Sequence, residues 1–311
     1  MSKYVFGVDL GGTTVKMGLF DTEGNLLDKW EIPTVTEGEG TRILPDIANS
    51  ILSKIEERSI DKKEVAGVGI GAPGPVDSQG CIHKAANLGW GVFNVSETLS
   101  GLVGLPVKAG NDANVAALGE MWKGGGRGYS NMVAITLGTG VGGGIIIEGK
   151  VLAGATGAGG EIGHICVEPQ ETECCGCGKK GCLEQYASAT GIARLANMRL
   201  AKDDKASTLR NRPISAKSVF DEVKNGDALA IEVAEQFGEY LGKGAAAVAC
   251  VVNPEVIVIG GGVSKAGPVL LDYVIKNYKK YVFHGSSETK FALATLENDA
   301  GIYGAAKLVL E

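Results

Sequence analysis

Tyr4-Val-Phe-Gly-Val-Asp-Leu-Gly-Gly-Thr-Thr-Val-Lys-Met-Gly-Leu-Phe20 is the stretch that decides the fold class. Tyr4–Leu10 is rich in β-formers, Gly11-Gly12 marks a bend, and Val15–Phe20 reads as a returning strand. Thr22-Glu-Gly-Asn25 is a second turn, after which a third strand is expected. The plan recurs further along: strand Met132–Leu137, loop Gly138-Thr-Gly-Val-Gly-Gly-Gly144, strand Ile145–Ile147, turn Glu148-Gly-Lys150, strand. A strand–glycine loop–strand unit used twice predicts two related domains facing each other.

Between the copies the pattern predicts an amphipathic helix over about Ile43–Glu57, a buried strand Val65–Ile70, the loop Gly71-Ala-Pro-Gly-Pro-Val-Asp77 and a short strand Val107–Ala109. A helix is expected after Asn111-Asp112. Ile231, Ala234, Phe237, Leu241, Ala245, Val248 and Val252 mark one face of a long helix, stopped by Asn253-Pro254. Val256–Ile259 is a buried strand leading to Gly260-Gly-Gly-Val-Ser264 and a further helix, whereas 201–217 shows little periodicity and is expected to be a loop.

The 311 residues suffice for two domains, and 44% hydrophobic with 21% charged residues is a globular composition. A net charge of −6 without a basic run argues against nucleic acid. No apolar stretch is long enough to span a bilayer. The chain enters a strand at once, so no signal peptide is expected and the location is read as cytoplasmic. Glycine, with 48 residues, is about twice its usual share and clustered, which points to loops where backbone approaches a ligand.

Seven cysteines without an export signal favour metal over disulfides. His164, Cys175, Cys177 and Cys182 form a Cys₃His set suited to structural Zn²⁺, and Glu161 and Glu184 bracket it. Such a closed set leaves no open position for metal chemistry; it folds a loop that presents polar groups. Cys81, Cys166 and Cys250 are expected to be ordinary small hydrophobes.

Gly138, Gly140 and Gly143 satisfy G-x-G-x-x-G after a strand, but a hairpin follows where a dinucleotide fold needs a helix. The reading that survives is a phosphate cradle of backbone N–H groups, with Thr139 adding a hydroxyl. A turn that merely packs tightly is the bland alternative. Asp9, at a strand end beside the first glycine loop, is placed to hold Mg²⁺, or else to cap the turn. Lys16 is a point charge for a phosphate, or a solvated lysine. Asn111-Asp112 serves either as a helix cap or as a carboxylate base that takes a hydroxyl proton during phosphoryl transfer.

Asp9-Leu-Gly-Gly-Thr13, Gly71-Ala-Pro-Gly-Pro-Val-Asp77, Asn111-Asp112-Ala-Asn, Leu137-Gly-Thr-Gly-Val-Gly-Gly-Gly144, Glu161-Ile-Gly-His164 and Cys175-x-Cys-Gly-x-x-Gly-Cys182-x-Glu184 together resemble the ROK family of sugar kinases, its bacterial ATP-dependent glucokinase branch most of all. The resemblance runs from Val5 to the C-terminal helix. It implies an α/β, actin-like ATPase (ribonuclease-H-like) fold with two domains around a central cleft. The expected division is 1–111 plus about 299–311 in a small domain and 112–298 in a large one carrying the zinc loop. It implies Asp112 as base on the 6-hydroxyl of glucose, with Asn87, Asn111, Glu161, His164 and Glu184 holding other sugar hydroxyls. His164 serves twice, one ring nitrogen on zinc and the other toward the sugar. Gly11, Gly12, Thr13, Gly138, Thr139 and Gly140 would cradle the ATP phosphates, and Gly260, Gly261 and Gly262 would pass under the adenosine. ATP, Mg²⁺ and structural Zn²⁺ are the implied cofactors, and a homodimer or homotetramer the implied assembly. One departure stands out: the family often has Pro-Asn-Leu-Pro-Gly-Trp, and this chain has Ala86-Asn87-Leu88-Gly89-Trp90 without either proline.

Three rivals are set against this. A kinase for mannose, N-acetylmannosamine or fructose would use the same polar residues. A sugar-responsive repressor needs a DNA-reading module ahead of Asp9, where only eight residues precede. A catalytically silent sugar-binding protein would be expected to lack Asp9 or Asp112.

Overall fold

Strand alternation sends Phe6, Val8 and Leu10 of β1 (Tyr4–Leu10) into one buried layer and Val5 into another. Asp9 therefore shares its face with Val5 and Gly7. The chain, described by a computed structural model over residues 2–83 and 85–311, builds its first sheet around this strand. β2 (Thr14–Asp21) and β3 (Leu26–Pro33) follow as an antiparallel meander. Helix α1 (Ile43–Glu57) buries Ile43, Leu44, Ile47, Ala48, Ile51 and Ile55 in the same layer as Phe6 and Val8. β4 (Val65–Ala72) returns parallel to β1. The small ribbon β5 (Cys81–Ile82) with β6 (Phe93–Asn94) leads to α2 (Val95–Val103), then to β7 (Val107–Asn111), parallel to β4. The order is β3-β2-β1-β4-β7.

Helix α3 (Asp112–Lys123) then leads to a second sheet: β8 (Met132–Leu137), β9 (Val141–Ile147) and β10 (Lys150–Val151). The zinc-motif region follows, then α4 (Glu184–Ala187), α5 (Ala189–Leu200), α6 (Ala216–Lys224) and the long α7 (Ala228–Val252). β11 (Val256–Gly260), α8 (Pro268–Tyr281), β12 (Lys290–Leu293) and α9 (Ala300–Leu310) complete the chain. The order β10-β9-β8-β11-β12 repeats the first sheet's plan, with the first strand central, a meander on one side and two parallel strands on the other. The repeated glycine loops thus sit at equivalent bends of two sheets with one topology.

Two compact units result. The first comprises the chain up to Ser130, Gly144–Gly160 and Leu296–Glu311; the second comprises Asn131–Gly143 and Glu161–Thr295. This differs from the division expected at 111/112, because α3 packs on α9 and falls in the first unit. A Cβ on Gly304 of α9 would lie 1.6 Å from the Val115 carbonyl oxygen of α3, so these two helices meet backbone to backbone. The α9 helix also lies directly on the sheet: a Cβ on Gly7 or Gly69 would lie 2.0 Å from Ile302 O or 1.8 Å from Ala305 O. Glycine in mid-strand is the condition for that approach.

Four other expectations change. β9 starts at Val141 and not at Ile145, because its glycines form strand where α3 passes; a Cβ on Gly144 would meet Ala117 Cβ at 2.5 Å. β4 and β7 each run two residues further than expected. The 201–217 segment includes a helical turn, Thr208–Asn211, and its end opens α6 through a Ser215/Ser218 capping box. Polar contacts order it: Arg210 donates to the Leu200 and Lys205 carbonyls at 3.0 and 2.9 Å, and Thr208 N–H donates to Asp227 at 2.8 Å. Such contacts leave no apolar periodicity to read. Finally, Cys166 and Cys250, expected to be ordinary small hydrophobes, are exposed, and Cys81 is half-buried. Among the described residues no helix is long and apolar enough to cross a membrane.

Gly69→Ala should destabilise the protein by about 3 kcal/mol or more, since a methyl there overlaps the α9 backbone. Gly91→Ala, with nothing within 4 Å of its Cβ, should be nearly neutral. Urea unfolding of both variants checks this, and equal stability of the two would refute the packing account.

Candidate active site and metal centre

In the first unit the candidate residues cluster at the strand ends. Asp9 lies opposite Lys16 on β2 and Gly71 on β4. A Cβ on Gly301 would lie 2.5 Å from Asp9 Cγ, so the first turn of α9 closes over the carboxylate. Burial lifts the Asp9 pKa to about 6; Lys16 opposes the rise, and Asp112 and Asp299 add to it. The Lys16 ammonium donates to Asn298 O at 3.2 Å. Beside Asp9, Gly11 N–H closes the turn on Thr14 O at 3.1 Å, and Thr34 holds Thr13 O and Gly11 O at 2.9 and 2.7 Å. Asn87 is exposed on a single helical turn, and its Nδ2 lies 4.0 Å from where a Gly12 Cβ would sit. Trp90 is buried, and its indole N–H donates to Gly40 O at 3.2 Å.

Of the two residues Asn111-Asp112, the helix-capping role falls to the first. Asn111 is the cap, its Oδ1 accepting the Asn114 N–H at 3.1 Å. Its Nδ2 donates to Gly74 O at 3.1 Å and to Asp112 Oδ1 at 3.0 Å. Asp112 Oδ1 also accepts the Ala113 N–H at 2.7 Å. These two bonds set the rotation of a carboxylate standing at a helix N-terminus, where the backbone N–H groups favour negative charge.

In the second unit a chain of contacts links most of the remaining candidates. Glu161 Oε2 lies 3.9 Å from His164 Nε2, and His164 Nδ1 lies 3.8 Å from Cys175 Sγ. Cys175 Sγ lies 3.5 Å from Glu184 Oε1, and Glu184 Oε2 accepts the Val141 N–H at 3.0 Å. The two ring nitrogens of His164 therefore face different partners, Nδ1 the thiols and Nε2 Glu161. Gly261, at φ +82°, packs on β8: a Cβ there would meet Leu137 O at 2.5 Å. The Gly138 and Gly260 loops thus lie side by side at the carboxyl ends of parallel strands β8 and β11. Ligands of open α/β sheets are commonly bound there.

The donor set fits zinc. One atom each from His164, Cys175, Cys177 and Cys182 lies within 4.8 Å of every other, with the Cys177 and Cys182 sulfurs 3.6 Å apart. A tetrahedron with metal–sulfur bonds near 2.3 Å has edges of roughly 3.8 Å. Burial and then the neighbouring sulfurs push the Cys182 thiol up to about 12, an energetic disadvantage that a cation offsets by binding thiolates.

Asp299 was not among the sequence candidates. It precedes α9, pairs with Lys29 at 2.8 Å and acts on Asp9. The signal was the acidic run Glu297-Asn-Asp299 before an apolar helix, which by itself reads only as a helix start.

A family model described as the ROK family matches residues 5–311. A glucokinase of Halalkalibacterium halodurans is 44% identical over 313 residues, covering 99% of this chain and 95% of that protein. Among solved structures, a ROK hexokinase from Thermus thermophilus superposes with a TM-score of 0.81 at 33% identity, covering 98% and 97% of the two chains. A ROK family glucokinase from Streptomyces griseus in complex with glucose and AMPPNP gives 0.74 at 35% identity, covering 98% of each chain.

An acid whose pKa rises on folding stabilises the protein at low pH and loses that contribution as pH climbs to about 6. Asp9→Asn, which stays neutral, should therefore raise stability at pH 7.5 by up to roughly 3 kcal/mol, and by about a third of that at pH 4.5. Denaturant titrations at both values test this, and a gain independent of pH would sink the burial account. Elemental analysis should find about one zinc per chain, lost in Cys177→Ser. A metal-free protein of full stability would refute the metal centre.

Proposed function

The chain belongs to the ROK family, and from that premise we propose that it is a glucokinase, transferring the γ-phosphoryl group of Mg·ATP to the 6-hydroxyl of glucose. Its fold is the α/β actin-like ATPase fold of that family. The observation that carries the reading is the Asp112 carboxylate, fixed by Asn111 and Ala113 at the start of α3.

Asp112 accepts the proton of the glucose 6-hydroxyl as that oxygen bonds to the γ-phosphorus and ADP leaves with the electrons of the broken bond. Positioned base help of this kind contributes about 10²–10⁴-fold. Asn111 holds Asp112 in place, and any bond it makes to the sugar is additional to its cap. Glu161 and His164 supply further sugar contacts, Glu161 being an exposed carboxylate and His164 a ring that would hold zinc through Nδ1 and keep Nε2 free for the sugar. Asn87 completes the sugar set beside the first glycine loop.

Gly11–Thr13 and Gly138–Gly140 cradle the phosphates with backbone N–H groups. Asp9, with Asp112 and Asp299 acting on it and Lys16 opposite, is the carboxylate for Mg²⁺, which neutralises phosphate charge when bound. Adenosine lies along Gly260–Gly262, next to a cavity of about 170 Å³ between α6 and the Gly262–Ala266 turn, lined by Phe220, Asp221 and Val263. Zinc stays structural. The same reading carries a cytoplasmic location, where Mg·ATP is at hand, and assembly as a homodimer or homotetramer.

A coupled ADP-release assay over glucose, mannose, fructose and N-acetylmannosamine tests this. Glucose should give the highest kcat/KM, and Asp112→Ala should lose at least ~10²-fold in turnover while still binding glucose. Near-normal turnover in that variant would end the base assignment.

A further inference from the structure

One short stretch of chain holds the Gly138–Gly140 loop from behind. Gly138 N–H closes the turn on Gly140 O at 3.0 Å. Ala189 N–H donates to Gly138 O at 2.8 Å, Thr190 Oγ1 donates to Thr139 O at 2.8 Å, and Val141 N–H donates to Glu184 Oε2 at 3.0 Å. The three tethers all come from Glu184–Thr190, a stretch that begins just after the metal ligand Cys182. Gln185 Oε1 accepts the Cys182 N–H at 3.1 Å, tying that stretch back to the ligand. Glu184 Oε1 lies 3.5 Å from the Sγ of a second ligand, Cys175.

The fit is close enough to exclude a side chain. A Cβ on Gly140 would lie 2.0 Å from Glu184 Oε2, so only glycine lets the carboxylate reach the Val141 amide. A bond from a backbone amide to a carboxylate is roughly twice as strong as a neutral one. A residue used only to hold sugar would not need an oxygen directed at this loop.

We propose that Glu184 is a positioning residue for the phosphate donor: it fixes the Gly138–Gly140 loop to the metal-bound stretch, so that nucleotide affinity depends on Glu184 and on zinc. This rests on the kinase reading above and adds to Glu184 a role on the donor side, distinct from holding sugar. Zinc then has a reason to be here without entering the chemistry, because it immobilises the segment from which the loop hangs.

Calorimetric titration of Mg·ADP and, separately, of glucose tests the proposal without turnover. Glu184→Ala should weaken Mg·ADP roughly tenfold or more, and Glu184→Gln, whose amide oxygen still accepts from Val141, should restore most of it. Gly140→Ala keeps every zinc ligand and displaces the carboxylate; it should weaken Mg·ADP. Chelation of zinc from the unmodified protein, with circular dichroism confirming retained helix, should weaken Mg·ADP as well. If Glu184→Ala does not fold, the chelation experiment decides, and Mg·ADP affinity unchanged on zinc removal overturns the proposal. Glu184→Ala or Gly140→Ala binding Mg·ADP like the parent, with at most glucose affinity lost, overturns the proposal. A parent protein that binds neither Mg·ADP nor glucose defeats the kinase reading itself, and this inference with it.

Discussion

Helix α9 meets β1, β4 and α3 backbone to backbone at a few glycines, and the placement of the candidate residues in the first unit depends on that contact. Gly7 and Gly69 admit the helix to the sheet, and Gly304 admits α3 to the helix. The same approach brings the first turn of α9 onto Asp9 and places Asp299 within its field. Asp112 belongs to α3, so its position relative to Asp9 is fixed through α9 as well as through the neighbouring strands. Packing at these glycines has little slack, because a side chain added there meets main chain and not a rotatable group.

The second unit solves a different problem. Its glycine loop has little apolar surface, so burial cannot hold it rigid. The fold instead uses polar tethers from one stretch of chain, which begins beside the Cys₃His donor set. Nearby, Glu171 reinforces the arrangement: Tyr186 of α4 and Arg194 of α5 both donate to its carboxylate, which they hold down to about 2 against the cost of burial. Zinc loop, α4 and α5 thus form one polar scaffold. A domain of this size has apolar core to spare, but this loop does not, and polar tethers hold it instead.

Much of this was legible in the residues. Alternation in Tyr4–Leu10, the spacing of Ile43–Glu57 and the Asn253-Pro254 stop each encode a local preference, and α1 and the end of α7 fall where those patterns place them. Asn253 ends α7 in the left-handed region, at φ 44°. The Cys₃His donor set was legible for a similar reason, since four strong donors close together in sequence have few other uses. The extent of β9 and the start of α6 were not, because glycine and serine carry weak propensity and their state is set by what packs on or bonds to them.

The sequence by itself determined the strand and helix inventory, the doubled glycine-loop plan, the Cys₃His donor set and the candidate base, because each is a short-range pattern of residue type. Only the tertiary structure decided that Asn111 is the cap and Asp112 the residue it holds, that α3 belongs with α9, that Asp299 acts on Asp9, and that Glu184 bonds to the phosphate loop. The physical reason is common to all four. Each depends on which atoms lie within a few ångströms after distant segments pack, and no local propensity records that distance.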